Sequence, residues 1–210
     1  MRAKSICTPM IALACALALC GCVGEQADND LTLELRSDFL AMEGCSGSMT
    51  VTADYGERVY TYEVDFTSNQ KDGMALTITA PEEVAGITAR IAQGDTVLEY
   101  DGLQLETGPL NPDGLSPLDA LPAILTAVQS GYIAETTSER AGERETLRLC
   151  CRDPEKQPGE GLETVLWFDK EQKTLLRGEL RQDGASVLQC EFSSFDIIFP
   201  NTDNTEKKGQ

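Results

Sequence analysis

The chain of 210 residues contains no histidine, few aromatic residues and few basic ones. Without histidine there is no imidazole to act as a general base, to complete a Ser or Cys triad, or to hold zinc. The 17 Lys and Arg face 35 Asp and Glu, a net charge of -18, and such a surface repels nucleic acid. The hydrophobic fraction of 41% is nevertheless ordinary for a folded domain. The composition predicts a folded domain and excludes nucleic-acid binding and histidine-based catalysis.

The one long apolar run of the sequence stands at its N-terminus. Arg2 and Lys4 precede the run ICTPMIALACALAL over residues 6–19, and a charged segment followed by a hydrophobic one is typical of an export signal. The run is too short and too interrupted by proline for a comfortable membrane span of roughly 20 apolar residues. We therefore predict that residues 1–21 are a signal peptide.

The signal ends in Leu19-Cys20-Gly21-Cys22, which resembles a bacterial lipobox, with an aliphatic residue, a small residue and then the acceptor cysteine. Cys20 is the poorer acceptor, because Leu19 would stand where a small residue is needed. We predict that Cys22 carries a diacylglyceryl group with acyl chains such as palmitate. Two acyl chains suffice for stable anchoring, so the predicted location is the extracytoplasmic face of the cell membrane.

Four cysteines remain in the predicted domain: Cys45, Cys150, Cys151 and Cys190. Export permits disulfides, and four cysteines allow three pairings. The alternative is that all four are small buried hydrophobic residues. The neighbours Cys150 and Cys151 would point to opposite faces of a strand, so we predict no metal site, and the sequence indicates no cofactor.

Hydrophobic periodicity predicts two helices and many strands. The first helix covers residues 31–42, where Leu33, Leu35, Phe39 and Leu40 recur at helical spacing. The second runs from an N-cap at Ser116, followed by Pro117, to Gly131. Strands are predicted at residues 49–55, 59–67, 74–79, 86–92, 96–100 and 103–106 before the second helix, and at residues 132–140, 143–152, 162–168, 174–181 and 186–198 after it.

This order of elements predicts an α+β fold, in which two helices are available to cover one strongly curved antiparallel sheet. The domain is predicted to span residues 31–199. Before it, residues 22–30 form a polar, lipidated tether, and after it residues 200–210 form a polar tail. We find no internal repeat and no compositional shift that would mark a second domain.

A family resemblance rests on the lipobox, the first helix and three segments: LTITAPEEVAGITARI, TVLEYDGLQLE and SPLDALPAILTAV. In this order they are similar to the LolA-like half-barrel superfamily of bacterial lipoprotein carriers, and within it to the Gram-positive lipoprotein branch related to the germination lipoprotein GerS. The similarity covers residues 31–199. It implies an unclosed barrel of about eleven strands, helices on the concave face, and no enzymatic activity.

The resemblance implies two kinds of function. In the carriers the concave face is apolar and receives acyl chains, which implies a lipid, an acyl chain or another apolar ligand. In GerS the same scaffold supports a cell-wall amidase during formation of the spore cortex, which implies instead a protein-interaction module for a cell-envelope or spore-cortex enzyme. A membrane anchor on this chain would depart from the pattern of the soluble carriers, because a protein that carries its cargo between membranes must leave the membrane.

The predicted binding surface is the apolar concave face. Alternate residues of a strand share one face, and such a stripe is plain core unless the sheet stays open and leaves it to be covered by a ligand or a partner. An exported enzyme would instead need a convergent polar cleft, and no catalytic residue is predicted. The predicted surface comprises Tyr60, Tyr62, Val64, Phe66, Leu76, Ile78, Leu121 and Leu125.

Overall fold

The computed structural model describes residues 20–107 and 115–200, except for the side chains of residues 20–25 and of Ala141. The predicted signal peptide up to residue 19 lies outside the described residues. The same holds for the polar tail from residue 201 and for the side chain of the predicted lipid acceptor Cys22. Neither described helix has the length and apolar character that a membrane span requires.

Two helices and eleven strands make up the described chain. Their bounds, in chain order, are α1 (Cys20–Ala41), β1 (Gly44–Asp54), β2 (Val59–Asn69), β3 (Gly73–Ala80), β4 (Thr88–Ala92), β5 (Asp95–Tyr100), β6 (Leu103–Glu106), α2 (Ala120–Ser130), β7 (Ile133–Ala141), β8 (Arg144–Arg152), β9 (Leu162–Asp169), β10 (Leu175–Gln182) and β11 (Ala185–Ile198).

All eleven strands belong to one antiparallel sheet, in the order β6-β5-β4-β3-β2-β1-β11-β10-β9-β8-β7. The first and last strands, β1 and β11, pair at its centre. Strands β6 and β7 end the sheet and do not pair with each other, so the barrel is unclosed. The predicted α+β fold, a curved unclosed antiparallel sheet with two helices, is confirmed.

Tight turns between neighbouring strands explain why the strands alternate in direction. Asp101 and Gly102 have φ angles of 49° and 76°, and Asp183 and Gly184 have φ angles of 51° and 80°. Two successive positive φ values match the right-handed twist of the flanking strands. Asp and Gly tolerate this backbone conformation, which is why these dipeptides mark the turns in the sequence.

Strand β1 starts earlier than predicted, at Gly44 instead of residue 49. Gly44, two residues after the predicted end of the first helix, is the first residue of the strand. A Cβ atom at Gly44 would collide with the Ser68 carbonyl of β2, and one at Gly47 would collide with the Ser194 carbonyl of β11. The glycines therefore allow a close approach of three strand backbones.

Helix α1 also differs from the prediction, because it begins at Cys20 and not at residue 31. Residues 22–30, predicted as a tether, belong to this helix. Asp28 is buried and accepts hydrogen bonds from Lys170 (2.5 Å) and Ser138 (2.6 Å). Such contacts hold a polar segment in a helix that its local propensity alone would not specify.

The apolar residues of α1 do not all face the sheet. Leu35 and Phe39 are buried, whereas Leu33 and Leu40 are exposed. Residues four apart share one face of a helix, which accounts for the buried pair. The prediction of one common face for all four residues is therefore wrong.

The two helices satisfy each other's C-terminal carbonyls. The Arg36 guanidinium of α1 donates to the carbonyls of Val128 (2.8 Å) and Gly131 (2.6 Å) at the end of α2. In return, the Gln129 amide donates to the carbonyl of Phe39 (3.0 Å) near the end of α1. The last carbonyls of a helix lack intrahelical partners and attract positive charge. These hydrogen bonds therefore hold α1 against α2.

We expect Arg36→Ala to lower the free energy of unfolding by about 2 kcal/mol, because it removes a charged donor from two carbonyls. Arg36→Lys should recover only part of this loss, since an ammonium group lacks the fork of a guanidinium. Arg58→Ala, at an exposed position, is the matched control. Urea denaturation of the three variants measures the difference, and equal losses for Arg36→Ala and Arg58→Ala would contradict the capping role.

Helix α2 begins at Ala120, with Asp119 at the N-cap position, and not at the predicted Ser116. Ser116 starts a preceding turn instead, in which its carbonyl accepts from the Asp119 amide (2.9 Å). Pro122 falls in the first turn of the helix. It is tolerated there because the first amides of a helix have no intrahelical partner.

Candidate functional site

The two helices cover only part of the concave face. Helix α2 packs on β9, β10 and β11, and α1 packs on α2 and β7. Gly178 of β10 makes room for this packing, because a Cβ atom there would collide with the fully buried Ile124 of α2. This central region is filled by protein side chains. The other half of the sheet, β2 to β6, is not covered by α1 or α2 to the same extent.

An apolar pocket of about 230 Å³ lies in that half. Its floor comes from β2, β3 and β5, and one wall comes from the turn that leads into α2. Ser116 and Tyr62 supply the polar side-chain atoms of the lining. The lining residues are Tyr62, Val64, Ile78, Val84, Ile87, Leu98, Ser116, Pro117 and Leu118.

The structure divides the eight predicted site residues into three groups. Tyr62, Val64 and Ile78 line the apolar pocket. Tyr60 lies beside Tyr62, with ring centroids 6.5 Å apart, and is partly exposed. The other four residues are buried in the core: Phe66, Leu76, Leu121 and Leu125. Leu125 also lines a separate groove near the end of α2.

Several lining residues were not predicted. Ile87 and Leu98 come from β4 and β5 and their connections, and alternation within these strands could have identified them. Leu98 lies opposite Ala89, which lies opposite Leu76, so these residues share the concave face. Leu118 lies in the turn before α2, so its place in the lining depends on how that turn packs.

A row of tyrosines borders the pocket. The ring centroids of Tyr55 and Tyr60 are 6.4 Å apart, and Tyr62 follows in the same row and reaches the pocket itself. The Tyr55 hydroxyl donates to the carbonyl of Leu115 (2.9 Å). Burial raises the pKa of Tyr55, and the nearby Tyr62, Asp119 and Tyr60 raise it further.

Asp119 is the unusual polar residue at this end of the fold. Its Oδ2 atom is buried and has no hydrogen-bond partner within the described part of the chain. As the N-cap residue of α2 it makes no side-chain capping hydrogen bond. Burial raises the pKa of its carboxyl, whereas a neighbouring Lys or Arg would lower it. Within the described residues, Asp119 thus has one buried, unpaired carboxyl oxygen at the start of α2.

The opposite end of the half-barrel carries a polar groove of about 520 Å³ between α1 and the edge strand β7. Burial tends to raise the pKa of Asp28 there, but hydrogen bonds from Lys170 and Ser138 and the charge of Lys170 lower it on balance. Lys170 also donates to Ser138 (2.7 Å). These polar groups satisfy one another, and most of the residues that line the groove are polar, Ile133 and Ala134 being the apolar ones.

The four cysteines of the domain are free and buried. Burial raises the pKa of Cys45 and of Cys151 to about 11 and that of Cys190 to about 12. Thiols with such values are protonated near neutral pH and are poor nucleophiles. In residues 20–107 and 115–200, no three His, Cys, Asp or Glu residues are grouped so that they could hold a metal ion.

No protein-family model and no curated protein sequence matches the chain. Solved structures of similar architecture include an uncharacterized conserved protein from Thermus thermophilus, with 10% identity and a TM-score of 0.48 over 81% of this chain and 87% of that one. A LolA superfamily protein from Nitrosomonas europaea has 8% identity and a TM-score of 0.40 over 84% and 95%. The GerS lipoprotein of Clostridioides difficile, solved with the CwlD amidase, is also similar, with 11% identity and a TM-score of 0.43 over 80% and 94%.

The eleven-stranded unclosed sheet with two helices is the half-barrel architecture that the resemblance implied. At these identities and TM-scores the similar structures say nothing about the ligand or partner of this chain. Its function has to be inferred from its own pocket, surface and N-terminal residues.

Proposed function

We propose that this protein is an extracytoplasmic, membrane-anchored lipoprotein that binds one apolar tail of a lipid or another amphiphile and catalyses no reaction. The observation that carries the proposal is the apolar pocket beside the turn that precedes α2. An exposed apolar strip continues from it along the concave face: Leu98 of the lining lies opposite Leu105, and Tyr100 lies opposite Leu103. Exposed contiguous apolar surface of this kind marks ligand or partner sites.

The size of the pocket limits the ligand. Its volume of about 230 Å³ is below the roughly 300–1,000 Å³ of sites for drug-sized molecules. If one methylene group takes about 30 Å³, the share of a water molecule in the liquid, the pocket holds roughly eight of them. Each methylene that leaves water contributes about 0.8 kcal/mol. The pocket therefore suits the end of a single unbranched tail.

The membrane anchor is proposed from the sequence. The lipobox assigns the acceptor to Cys22, and a lipidated cysteine there would attach α1 to the membrane through its N-terminal end. A charge of -18 gives no attraction to an anionic lipid surface. The acyl chains would therefore supply the binding to the membrane.

Mass spectrometry of the full-length protein tests both parts of the proposal. The chain is produced with its own leader and extracted from membranes with a steroidal detergent, whose rigid ring system is larger than the pocket. We expect the denatured protein to begin at Cys22 and to carry a diacylglyceryl mass. Under native conditions we expect an additional, non-covalent amphiphile, because the pocket buries its tail.

Two leucine variants provide the control. Leu98→Arg places a charge in the pocket and should remove the non-covalent adduct while the covalent lipid stays. Leu33→Arg makes the same exchange at an exposed position of α1 and should keep both. A wild-type protein free of non-covalent amphiphile would refute the binding function, and an unmodified Cys22 would refute the anchor.

A protein-interaction module is the second candidate function. It is favoured by edge strand β6, on which Leu103 and Leu105 are exposed by 74% and 62%. Natural sheets usually protect a free edge with charge or cover it, and an extended partner segment can add to such an edge. An empty pocket in the experiment above, with Leu98→Arg behaving like wild type, would favour this candidate.

A further inference from the structure

Strand β7 forms one free edge of the sheet, beside α1. It runs over nine residues, Ile133–Ala141, and contains no proline, and it pairs only with β8. Natural proteins usually shorten, twist, charge or cover such an edge. Helix α1 packs against β7, yet within the described part of the chain no backbone hydrogen bond joins the two. The outer backbone groups of β7 are therefore open to a further strand.

The hydrogen bonds of the sheet show which residues of β7 direct their backbone groups to the free edge. The Lys170 amide donates to the carbonyl of Glu145 (3.0 Å), so Glu145 of β8 faces β9. Because these directions alternate along an antiparallel strand, the next residue, Thr146, faces β7, and its partner Glu139 faces back. The same alternation along β7 turns every second residue outward. The outward residues are Thr136, Ser138 and Arg140.

The polar groove of about 520 Å³ follows this edge from Ile133 to Ser138. Six residues of an extended strand, at roughly 3.4 Å each, span about 20 Å. Asn29 of α1 lies on the facing wall, and Asp28 closes one end, because it accepts a hydrogen bond from the Ser138 hydroxyl (2.6 Å). An extended peptide adds to a free edge through main-chain hydrogen bonds, and its alternate side chains give specificity. The groove has the length and the backbone groups for such a peptide.

Acidic side chains of β7 indicate which peptide would be selected. Glu135 and Glu139 lie on the outer face of the sheet and are 44% and 47% exposed. Within the described residues their ion pairs all go to β8, to Arg148 and Arg152, and none is formed toward the free edge. Oppositely charged residues that face each other on neighbouring strands stabilise the pairing. A basic residue on an added strand would therefore give each glutamate a second cation.

We propose that the groove between α1 and β7 binds an extended segment of a partner protein as a further strand of the sheet, with basic residues opposite Glu135 and Glu139 and small polar residues toward α1. Small polar residues suit that side because Asn29, Thr136 and Ser138 line it. The net charge of -18 also attracts a basic segment. This inference is independent of the apolar pocket, which lies in the other half of the sheet.

Synthetic hexapeptides test the proposal by calorimetric titration of the full-length protein in the steroidal detergent. One probe alternates threonine with lysine, and another alternates threonine with glutamate. Two more repeat the lysine sequence with methylated backbone nitrogens. The methyl groups are placed either at the threonines, whose N–H groups would face β7, or at the lysines, whose N–H groups would face solvent.

The four probes should differ in a fixed order. We expect the lysine probe to bind about tenfold tighter than the glutamate probe, because it places cations opposite the glutamates of β7. Methylation at the threonines should weaken binding about tenfold, because it removes main-chain hydrogen bonds, and methylation at the lysines less than about twofold. Hydrogen exchange followed by NMR should slow at the Thr136 and Ser138 amides when the lysine probe binds.

Substitutions on the two edges locate the site. Thr136→Pro removes an outward N–H, an exchange that an edge strand tolerates, and should weaken the lysine probe about tenfold. Gln104→Pro, the matched exchange on the other edge strand β6, should leave its affinity unchanged. Glu135→Gln should lower the preference for lysine over glutamate severalfold, whereas Glu63→Gln, at an exposed position of β2, should keep it. The two glutamine variants keep the test decisive if Thr136→Pro does not fold.

The possible outcomes separate this inference from the proposed function. If the lysine probe does not bind, or if the two methylated probes bind equally, the edge of β7 takes up no strand and the proposal is wrong. It is also wrong if the protein sediments as a dimer that Thr136→Pro dissociates, because a second copy would then occupy the edge. Leu98→Arg, which should remove tail binding, should bind the lysine probe like wild type, so either function can fail without the other.

Discussion

Replacement of Phe39 by Ala is expected to lower the free energy of unfolding by about 4 kcal/mol, because a large buried ring leaves a cavity that the core only partly fills. Phe39 is 1% exposed. Its ring lies edge-on to Phe168 of β9, with centroids 5.8 Å apart, and stacks on Phe195 of β11 at 5.6 Å. Aromatic pairs add stability beyond the area they bury. This side chain therefore fixes α1 against the concave face.

Helix α1 also contains the control for this experiment. Leu40, the next residue, is 61% exposed, and Leu40→Ala should change the stability by less than about 0.5 kcal/mol. Thermal unfolding followed by circular dichroism should show a midpoint lowered by about 8–16 °C for Phe39→Ala, from 2–4 °C per kcal/mol in a protein of this size. Similar midpoints for the two variants would mean that α1 is not held by its aromatic contacts.

The strands of the fold were predictable because their signals are local. Side-chain alternation has a period of two in every strand, and dipeptides such as Asp183-Gly184 separate one strand from the next. Pairing in an antiparallel sheet follows from short turns. The exception is the central pair of β1 and β11, whose residues are far apart in the sequence. The sequence analysis predicted no partner for either of these two strands.

The ends of the helices could not be predicted in the same way. The start of α1 depends on the contact of Asp28 with Lys170, residues that lie 142 positions apart. From its local sequence alone, the same segment is predicted to be a polar tether without secondary structure. The start of α2 was misjudged because Ser116-Pro117 is a good helix start by composition, while the turn it forms places Asp119 at the N-cap.

The candidate site was predicted in part. Alternation identified the apolar face that includes Tyr62 and Phe66, but it could not show which residues α1 and α2 cover. Phe66 is buried in the core, whereas Tyr62 borders the pocket. Asp119 carried no signal at all in a chain with 35 acids. An unpaired carboxylate becomes recognisable only when burial and hydrogen bonds are known.

The second large effect on stability is expected at Glu179, whose charge is buried on the outer face of the sheet. Glu179 of β10 is 4% exposed, and its carboxylate pairs with Arg177 and with Arg181, whose Nη2 atom is 2.5 Å away. The Arg177 guanidinium also lies over the Trp167 ring, 4.9 Å from its centroid. We expect Glu179→Ala to lower the free energy of unfolding by about 3 kcal/mol, because it leaves two neighbouring guanidinium groups without a counter-charge.

Two comparison variants make this prediction specific. Glu145→Ala breaks an exposed pair with Arg140 and should cost less than about 1 kcal/mol. The triple exchange Arg177→Met, Glu179→Leu and Arg181→Met should restore most of the lost stability, since apolar residues of similar size often replace a buried ion cluster without loss. Urea denaturation at low and high salt measures all variants. If Glu179→Ala loses no more stability than Glu145→Ala, the buried ion cluster does not control stability. The same conclusion follows if the triple exchange is less stable than Glu179→Ala, because replacing the whole cluster should leave no unpaired charge.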